Sequence, residues 1–278
     1  MGNSTKLSRR RNLLGFFSLI LGRKFSQPFC EFIHKASLVG MNVSQGSSTD
    51  FSGEHELLEK IASTLSKQKS VSIFEVGANH GQFALEANQV FAGRAKIFSF
   101  EPFKETFSKL TRRTDKFEKI ESYPFGLSNK NEELSIFYDT QGSGLASIYK
   151  RELEHHGIKM NLNEVAKFKT LDQFCTEKNI QKIDFLKMDV EGHEIKVLEG
   201  AKKMLDSGKI TFIQFEFGGC NIDSRTFFRD FYVLLKEKYN LYRVLKDGIY
   251  PIKRYSEINE IFMNTNYFAC LKTVKTKI

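Results

Sequence analysis

The chain has 278 residues, 41% of them hydrophobic, enough for one well-filled core or at most two small domains. Its net charge of +9 sits at the ends: residues 1–35 carry seven basic residues against one acid, residues 272–278 carry three lysines, and the body between is formally neutral. That distribution argues against a basic face for nucleic acid, and four scattered cysteines (Cys30, Cys175, Cys220, Cys270) without a CxxC pair argue against disulfides or structural zinc and for a reducing, cytoplasmic setting.

In chain order, Ser8-Arg9-Arg10-Arg11 precedes a short apolar block, Leu13 to Leu21, closed by Arg23-Lys24. The block falls well short of the ~20 residues that span a bilayer. No clean cleavage site follows, and Lys6 breaks the myristoylation pattern. Two readings stand: a segment resting peripherally on anionic membrane, or a helix packed on the body. Ser44 to Gly53 reads as a linker, which separates a basic-apolar segment (1–50) from a domain over 51–272 and a basic tail (273–278).

Glu54 to Lys67 carries Leu57, Leu58, Ile61 and Leu65 on one helical face. Val71 to Val76 is an apolar, β-branched run, hence a buried strand. It enters Gly77-Ala78-Asn79-His80-Gly81, a helix from Gln82, and a second strand, Lys96 to Phe100, that stops at Glu101-Pro102. Helix Lys104 to Arg113, strand Ile120 to Tyr123, a turn at Phe125 to Ser128 and a hairpin arm from Glu133 to Asp139 follow. The polar, glycine-bearing stretch Thr140 to Glu164 is a long excursion for a compact domain and suits a substrate-facing loop. Beyond it come helix Thr170 to Asn179, strand Ile183 to Met188, a helix opening at Gly192, strand Ile210 to Phe217, helix Ser224 to Glu237, and strands Leu241 to Leu245 and Asn266 to Lys272. Strands alternating with helices predict an α/β fold. It is a single doubly wound, mostly parallel, Rossmann-like sheet whose last strand pairs antiparallel.

Ligands of such sheets sit beyond the strands' carboxyl ends. Four acids fall there: Glu75, Glu101, Asp189 and Glu216. The spacing from Gly81 to Glu101 suits a carboxylate on ribose hydroxyls. A dinucleotide wants G-x-G-x-x-G, but Asn79 and Gln82 replace the second and third glycines. S-adenosylmethionine carries no phosphate, and its ammonium, sulfonium and ribose diol suit an acid-rich rim.

The blocks EVGANHGQFA, FSFEPFKETFSKL, GSGLASIYKREL, FKTLDQFC, IDFLKMDVEGHEIKVLEGA and FIQFEF, in that order, resemble the FkbM family of S-adenosylmethionine-dependent methyltransferases over about residues 54–272. Departures are small: Glu75 where the family often has Asp, His80 in place of an aliphatic residue, and Gln214 before the strand-end Glu. The resemblance implies a class I methyltransferase fold and O-methylation of a hydroxyl on a small-molecule or glycan acceptor, most often a sugar. It implies that Gly77, Ala78, Asn79, Gly81, Gln82 and Phe83, near Glu75, line the amino-acid end of the cofactor. Glu101, followed by Pro102, would hold the ribose diol; Gly126 and Leu127 would lie near adenine, and Asp189 beside the methyl group.

Methyl transfer to oxygen needs alignment and a base for the acceptor proton. Asp189 and Glu216 are the best-placed bases and His193 the third, although a first-turn histidine is more often a surface residue. Glu191 and Glu194 read as complements to the positive end of the helix at Gly192. Asp189 and Glu216 would also be the ligands if magnesium is used. Ser143, Ser147 and Tyr149 are the acceptor-binding candidates. The rival readings are an NAD-dependent sugar dehydrogenase and a catalytically inactive binding module.

Overall fold

The computed structural model describes residue 15 and residues 21–44 and 52–274. The chain divides into two compact units, Met1–Ser44 and Gln45–Ile278. In the first, helix α1 (Gln27–Gly40) has Pro28 in its first turn, where a missing N–H is tolerated. Its Phe29, Phe32 and Ile33 are exposed. The Arg9–Arg11 cluster, most of the Leu13 to Leu21 block, most of the linker and the end of the basic tail lie outside the described residues. Among the described residues no helix is long and apolar enough to cross a membrane.

In the second unit, helix α2 (Glu54–Thr64) buries Leu57, Leu58, Ile61 and Ala62. Strand β1 (Val71–Val76), helix α3 (Gln82–Val90) and strand β2 (Ala95–Phe100) form the expected βαβ unit, followed by α4 (Lys104–Thr114) and β3 (Ile120–Tyr123). Two further central strands, β7 (Ile183–Met188) and β8 (Ile210–Phe217), are buried at every position, as sheet strands covered on both faces must be. The strands β3, β2, β1, β7 and β8 run parallel in that order. One face packs Phe74, Phe100, Leu186, Met188 and Phe215; the other packs Ile73, Ile97, Phe185 and Phe212 against α2 and α3.

The antiparallel end is larger than one strand. Strands β9 (Tyr239–Leu245) and β10 (Gly248–Ile252) form the hairpin at Asp247-Gly248. Strand β11 (Thr265–Leu271) inserts between β8 and β9, antiparallel to both. The predicted antiparallel pairing is present, with β10 as an additional edge.

The stretch Thr140 to Glu164 is not all loop. Its end belongs to β6 (Leu162–Lys169), which joins β4 (Gly126–Leu127) and β5 (Glu132–Tyr138) in a separate three-stranded sheet, order β4-β6-β5, around Ile136, Ala166 and Phe168. Helix α5 (Leu171–Glu177) is capped by Thr170, whose Oγ1 accepts from the Gln173 N–H at 3.1 Å. The helix read from Gly192 breaks into α6 (Glu194–Glu199) and α7 (Lys202–Asp206) at Gly200. There the backbone approaches the Ser128 carbonyl so closely that a Cβ would lie 2.0 Å from its oxygen. A short α8 (Cys220–Asp223) precedes α9 (Phe228–Leu235), so the helix read from Ser224 starts four residues later.

Candidate active site

The carboxyl edge of the parallel strands opens into a cavity of about 220 Å³. On one side β1 ends in a turn with Gly77, Asn79 and Gly81 at φ values of 83°, 45° and 74°. Glycine is required at 77, because a Cβ there would sit 1.9 Å from the Asp189 carbonyl oxygen. The Gly77 and Ala78 N–H groups both donate to Phe100 O at 3.0 Å, which ties the turn to the end of β2. Glu101 holds the same turn from beyond β2: its Oε2 accepts from the Asn79 N–H at 2.8 Å and its Oε1 from the Phe103 N–H at 2.9 Å. Burial pushes its carboxyl up to about 7 against those two bonds.

On the other side the turn after β7 presents Asp189 and Glu191, and β8 presents Glu216. Carboxylate oxygens of the three lie within 4.8 Å of one another. Glu191 takes φ 50° and Gly192 φ 102°. Beneath that turn the fully buried Glu194 accepts from the Val190 and Gly192 N–H groups at 2.9 and 3.3 Å, the helix-start role expected of it. Glu191 does more than complement a helix: it lines the cavity and pairs with Arg151 Nη1 at 2.6 Å. Burial pushes the Glu191 carboxyl up to about 8 and that of Glu194 up to about 7. Glu216, only 9% exposed, is raised well above the ordinary range by burial and then by Asp189, Glu191 and Glu194. Asp189 is the open member, with 43% of its side chain exposed, and it pairs with Lys187 at 3.3 Å.

Gly77, Asn79, Glu101, Pro102, Gly126, Leu127, Ser143, Ser147, Asp189, His193 and Glu216 line this one cavity. Ala78, Gly81, Gln82 and Phe83 stand behind the turn and shape it without facing the cavity; Gly81 caps α3 in a left-handed conformation. Glu75 is also behind it. Its carboxyl accepts from Ser99 Oγ at 2.7 Å, is 2% exposed, and is pushed up to about 8 by burial. Glu75 does not line the cavity: it faces the α3 side of the sheet two residues short of the turn, where Ser99 binds it.

His193 is corrected from a surface residue to a buried one. Its Nε2 meets Ser128 Oγ at 3.0 Å and its Nδ1 meets Tyr149 Oη at 3.2 Å. Burial, and then Lys196, lowers its pKa to about 4. With both ring nitrogens engaged, it is a poor base. Tyr149 serves that contact outside the cavity lining, while Ser147 Oγ donates to Glu191 O at 2.7 Å. Ser147 also bridges to Phe137 through paired backbone bonds of 3.0 and 2.7 Å. Together with Arg151 these residues latch the long excursion onto the Asp189–His193 turn. Only Ser143 keeps to the loop, its Oγ accepting from the Leu145 N–H at 3.1 Å.

Phe103 and Thr106, just past Pro102, also line the cavity, as do Phe168 and Asn264, which reach it from distant parts of the chain. No lysine or arginine lines it among the described residues, against four acids.

The parallel sheet with its antiparallel C-terminal strands, the glycine turn after its first strand and the acids at its strand ends are those of a class I methyltransferase domain. Residues 75–244 match the family described as Methyltransferase FkbM domain, and the chain belongs to that family. It is 24% identical over 170 residues to the hexuronic acid methyltransferase AglP of Haloferax volcanii, covering 61% of this chain and 65% of that one. It is likewise 24% identical over 166 residues to the 2-O-methyltransferase NoeI of Sinorhizobium fredii, covering 56% and 67%. The aligned region spans about two-thirds of the length of these curated relatives. Among solved structures it is similar to a methyltransferase FkbM from Methylobacillus flagellatus KT, with a TM-score of 0.43, 13% identity and coverage of 77% of this chain and 49% of that one.

Proposed function

We propose that the protein is an S-adenosylmethionine-dependent O-methyltransferase acting on a hydroxyl of a small-molecule or glycan acceptor, with a sugar as the preferred class. The observation that carries this reading is the meeting, in one cavity, of a glycine turn backed by Glu101 with the acids Asp189 and Glu216. The residues fit the cofactor. Gly77 lets the turn pack directly on the Asp189 backbone, which sets the cavity rim, and each Glu101 oxygen, having accepted one backbone N–H, keeps a lone pair for a ribose hydroxyl. Gly126 and Leu127, which line the cavity, are the residues for an adenine ring. When bound, S-adenosylmethionine supplies the electrophilic methyl group.

The chain's own residues position the acceptor and handle its proton. Glu216, whose carboxyl is raised well above the ordinary range by burial and then by the neighbouring acids, sits in the cavity to hydrogen-bond the acceptor hydroxyl. Asp189, open to the cavity, takes the hydroxyl proton. Calorimetric titration with S-adenosylmethionine, S-adenosylhomocysteine and NADH tests the first half of the reading, and transfer of labelled methyl to fractionated glycans tests the second. Binding of NADH without binding of the homocysteine product would sink it.

A second reading adds a divalent cation. It is favoured by the approach of Asp189, Glu191 and Glu216 within 4.8 Å. These oxygens would hold magnesium, which would lower the acceptor hydroxyl's pKa. Loss of transfer in EDTA and its return with magnesium or manganese is the expected result. A cytoplasmic enzyme touching anionic membrane through its N-terminal unit is supported by exposed Phe25, Phe29 and Phe32 beside Arg23, Lys24 and Lys35. Cosedimentation with phosphatidylserine vesicles that is lost in Phe29→Ser/Phe32→Ser tests it.

A further inference from the structure

One charge beside Asp189 has no part in this scheme: Lys187. Strand alternation puts it on the α3 side of β7, the face opposite Leu186 and Met188. Register sets it next to Glu75 on β1 and Gln214 on β8, with Ser99 on β2 opposite Glu75. A polar row, Ser99–Glu75–Lys187–Gln214, thus crosses four strands just behind the cavity rim. All four residues are buried. Such a row is costly inside a sheet unless its members are bonded, and each is. Ser99 donates to Glu75 at 2.7 Å, and Gln214 Nε2 donates to Glu54 Oε1 at 2.6 Å and to Asn266 Oδ1 at 3.1 Å. Gln214, which departs from the family pattern, therefore has a partner on each side.

The ammonium of Lys187 lies 3.3 Å from Asp189 Oδ2, 3.8 Å from Glu54 Oε1 and 5.4 Å from the centre of the Phe83 ring. Glu54 is itself fixed by Gln214 and by the Ser52 hydroxyl, which donates to its Oε2 at 3.1 Å. Of the groups around this ammonium, only Asp189 reaches the cavity. A buried ion pair contributes little net stability, since desolvation offsets the attraction, and a methionine would occupy similar space. What the pair supplies is direction: a carboxylate with one oxygen bound from behind presents the other forward.

We propose that Lys187, anchored by Glu54, is the positioning residue for Asp189, holding Oδ2 behind the rim so that Oδ1 faces the acceptor. The inference rests on reading Asp189 as the proton acceptor. The test compares the full-length protein with Lys187→Met, Lys187→Arg and the double variant Lys187→Met/Glu54→Gln, which leaves no stranded Glu54 charge and covers a single variant that fails to fold. Each is measured for S-adenosylhomocysteine affinity by calorimetry, for labelled-methyl transfer, and for the Asp189 rotamer in a crystal with that product bound. Product affinity stays at the wild-type level throughout. Turnover falls by about 30- to 100-fold in Lys187→Met and in the double variant, the scale of a misplaced reacting group. Lys187→Arg recovers most of that rate, and Asp189 leaves its wild-type rotamer only in the two methionine variants. Wild-type turnover in either methionine variant, an arginine variant as slow as the methionine one, or an unmoved Asp189 overturns the proposal. A wild-type protein that binds the product yet methylates nothing defeats the O-methyltransferase reading instead, and the Asp189 rotamer then decides on Lys187 alone.

Discussion

The two sides of the cavity are built on opposite principles. On the β1–β2 side, backbone does the shaping and the one acid, Glu101, has both oxygens occupied by N–H groups of the loops it holds. On the β7–β8 side, Asp189, Glu191 and Glu216 crowd together, and the basic groups paired with them, Lys187 and Arg151, lie outside the lining. A rim fixed by backbone bonds, with one lone pair left on each Glu101 oxygen, suits binding one invariant molecule. An unsaturated acid cluster, costly to assemble, suits moving a proton.

That contrast can be broken from either side. Asp189→Asn should lower turnover by about 10²- to 10⁴-fold, the range of a lost general base, with product affinity by calorimetry unchanged. Gly77→Ala should damage both sides at once, since its Cβ would strike the Asp189 carbonyl. Left-handed strain of about 1–2 kcal/mol and overpacking of about 1–3 kcal/mol predict roughly a hundredfold loss of product affinity. Acceptor charge probes the unsaturated side: with no lysine or arginine in the lining among the described residues, a hexuronate should be a poorer acceptor than the matching neutral hexoside. One carboxylate ~8 Å from another costs about 2 kcal/mol at a near-surface dielectric, and the ratio of transfer rates measures it. Glu101→Gln should weaken cofactor binding by about tenfold, the worth of a charged hydrogen bond, while turnover at saturation persists.

The smallest effect concerns stability. Glu75 is raised from 4.5 to about 8, so between those pH values the folded state keeps a proton that the unfolded chain has released. Its contribution to stability therefore falls as pH rises through that window. Glu75→Gln removes the fall: thermal melts should place the variant above wild type at pH 8 and level with it at pH 5.

The sheet itself was readable because its strands are apolar runs bounded by glycine, acid and proline. Strand Ile183 to Met188 and strand Ile210 to Phe217 needed no adjustment. Strand β6 escaped because LNEVAKFK alternates charged and apolar residues on a half-exposed layer, a pattern that sits inside a polar stretch without contrast. Glu75 misled for a different reason. Position along a strand says an acid is near the rim, but only the parity of the strand says which face it takes. His193 and Arg151 depend on contacts across 65 and 40 residues of chain, with Ser128 and Glu191, and no local pattern announces these. Lys187 lies within the predicted strand Ile183 to Met188 with no local pattern to give its partners, since its three acidic neighbours come from separate elements.

The insertion of β11 between β8 and β9 also orders the protein in time. Glu216 lies opposite Asn266 in that pairing, and β9 and β10 attach to the parallel strands only through β11. During synthesis from the N-terminus, the βαβ unit with its glycine turn closes through contacts near in sequence. The strand carrying Glu216 must wait with an open edge until Thr265–Leu271 has left the ribosome. The nascent chain can thus form its glycine turn well before its acid cluster is complete, and among the described strands it is β11 that joins the two parts of the sheet.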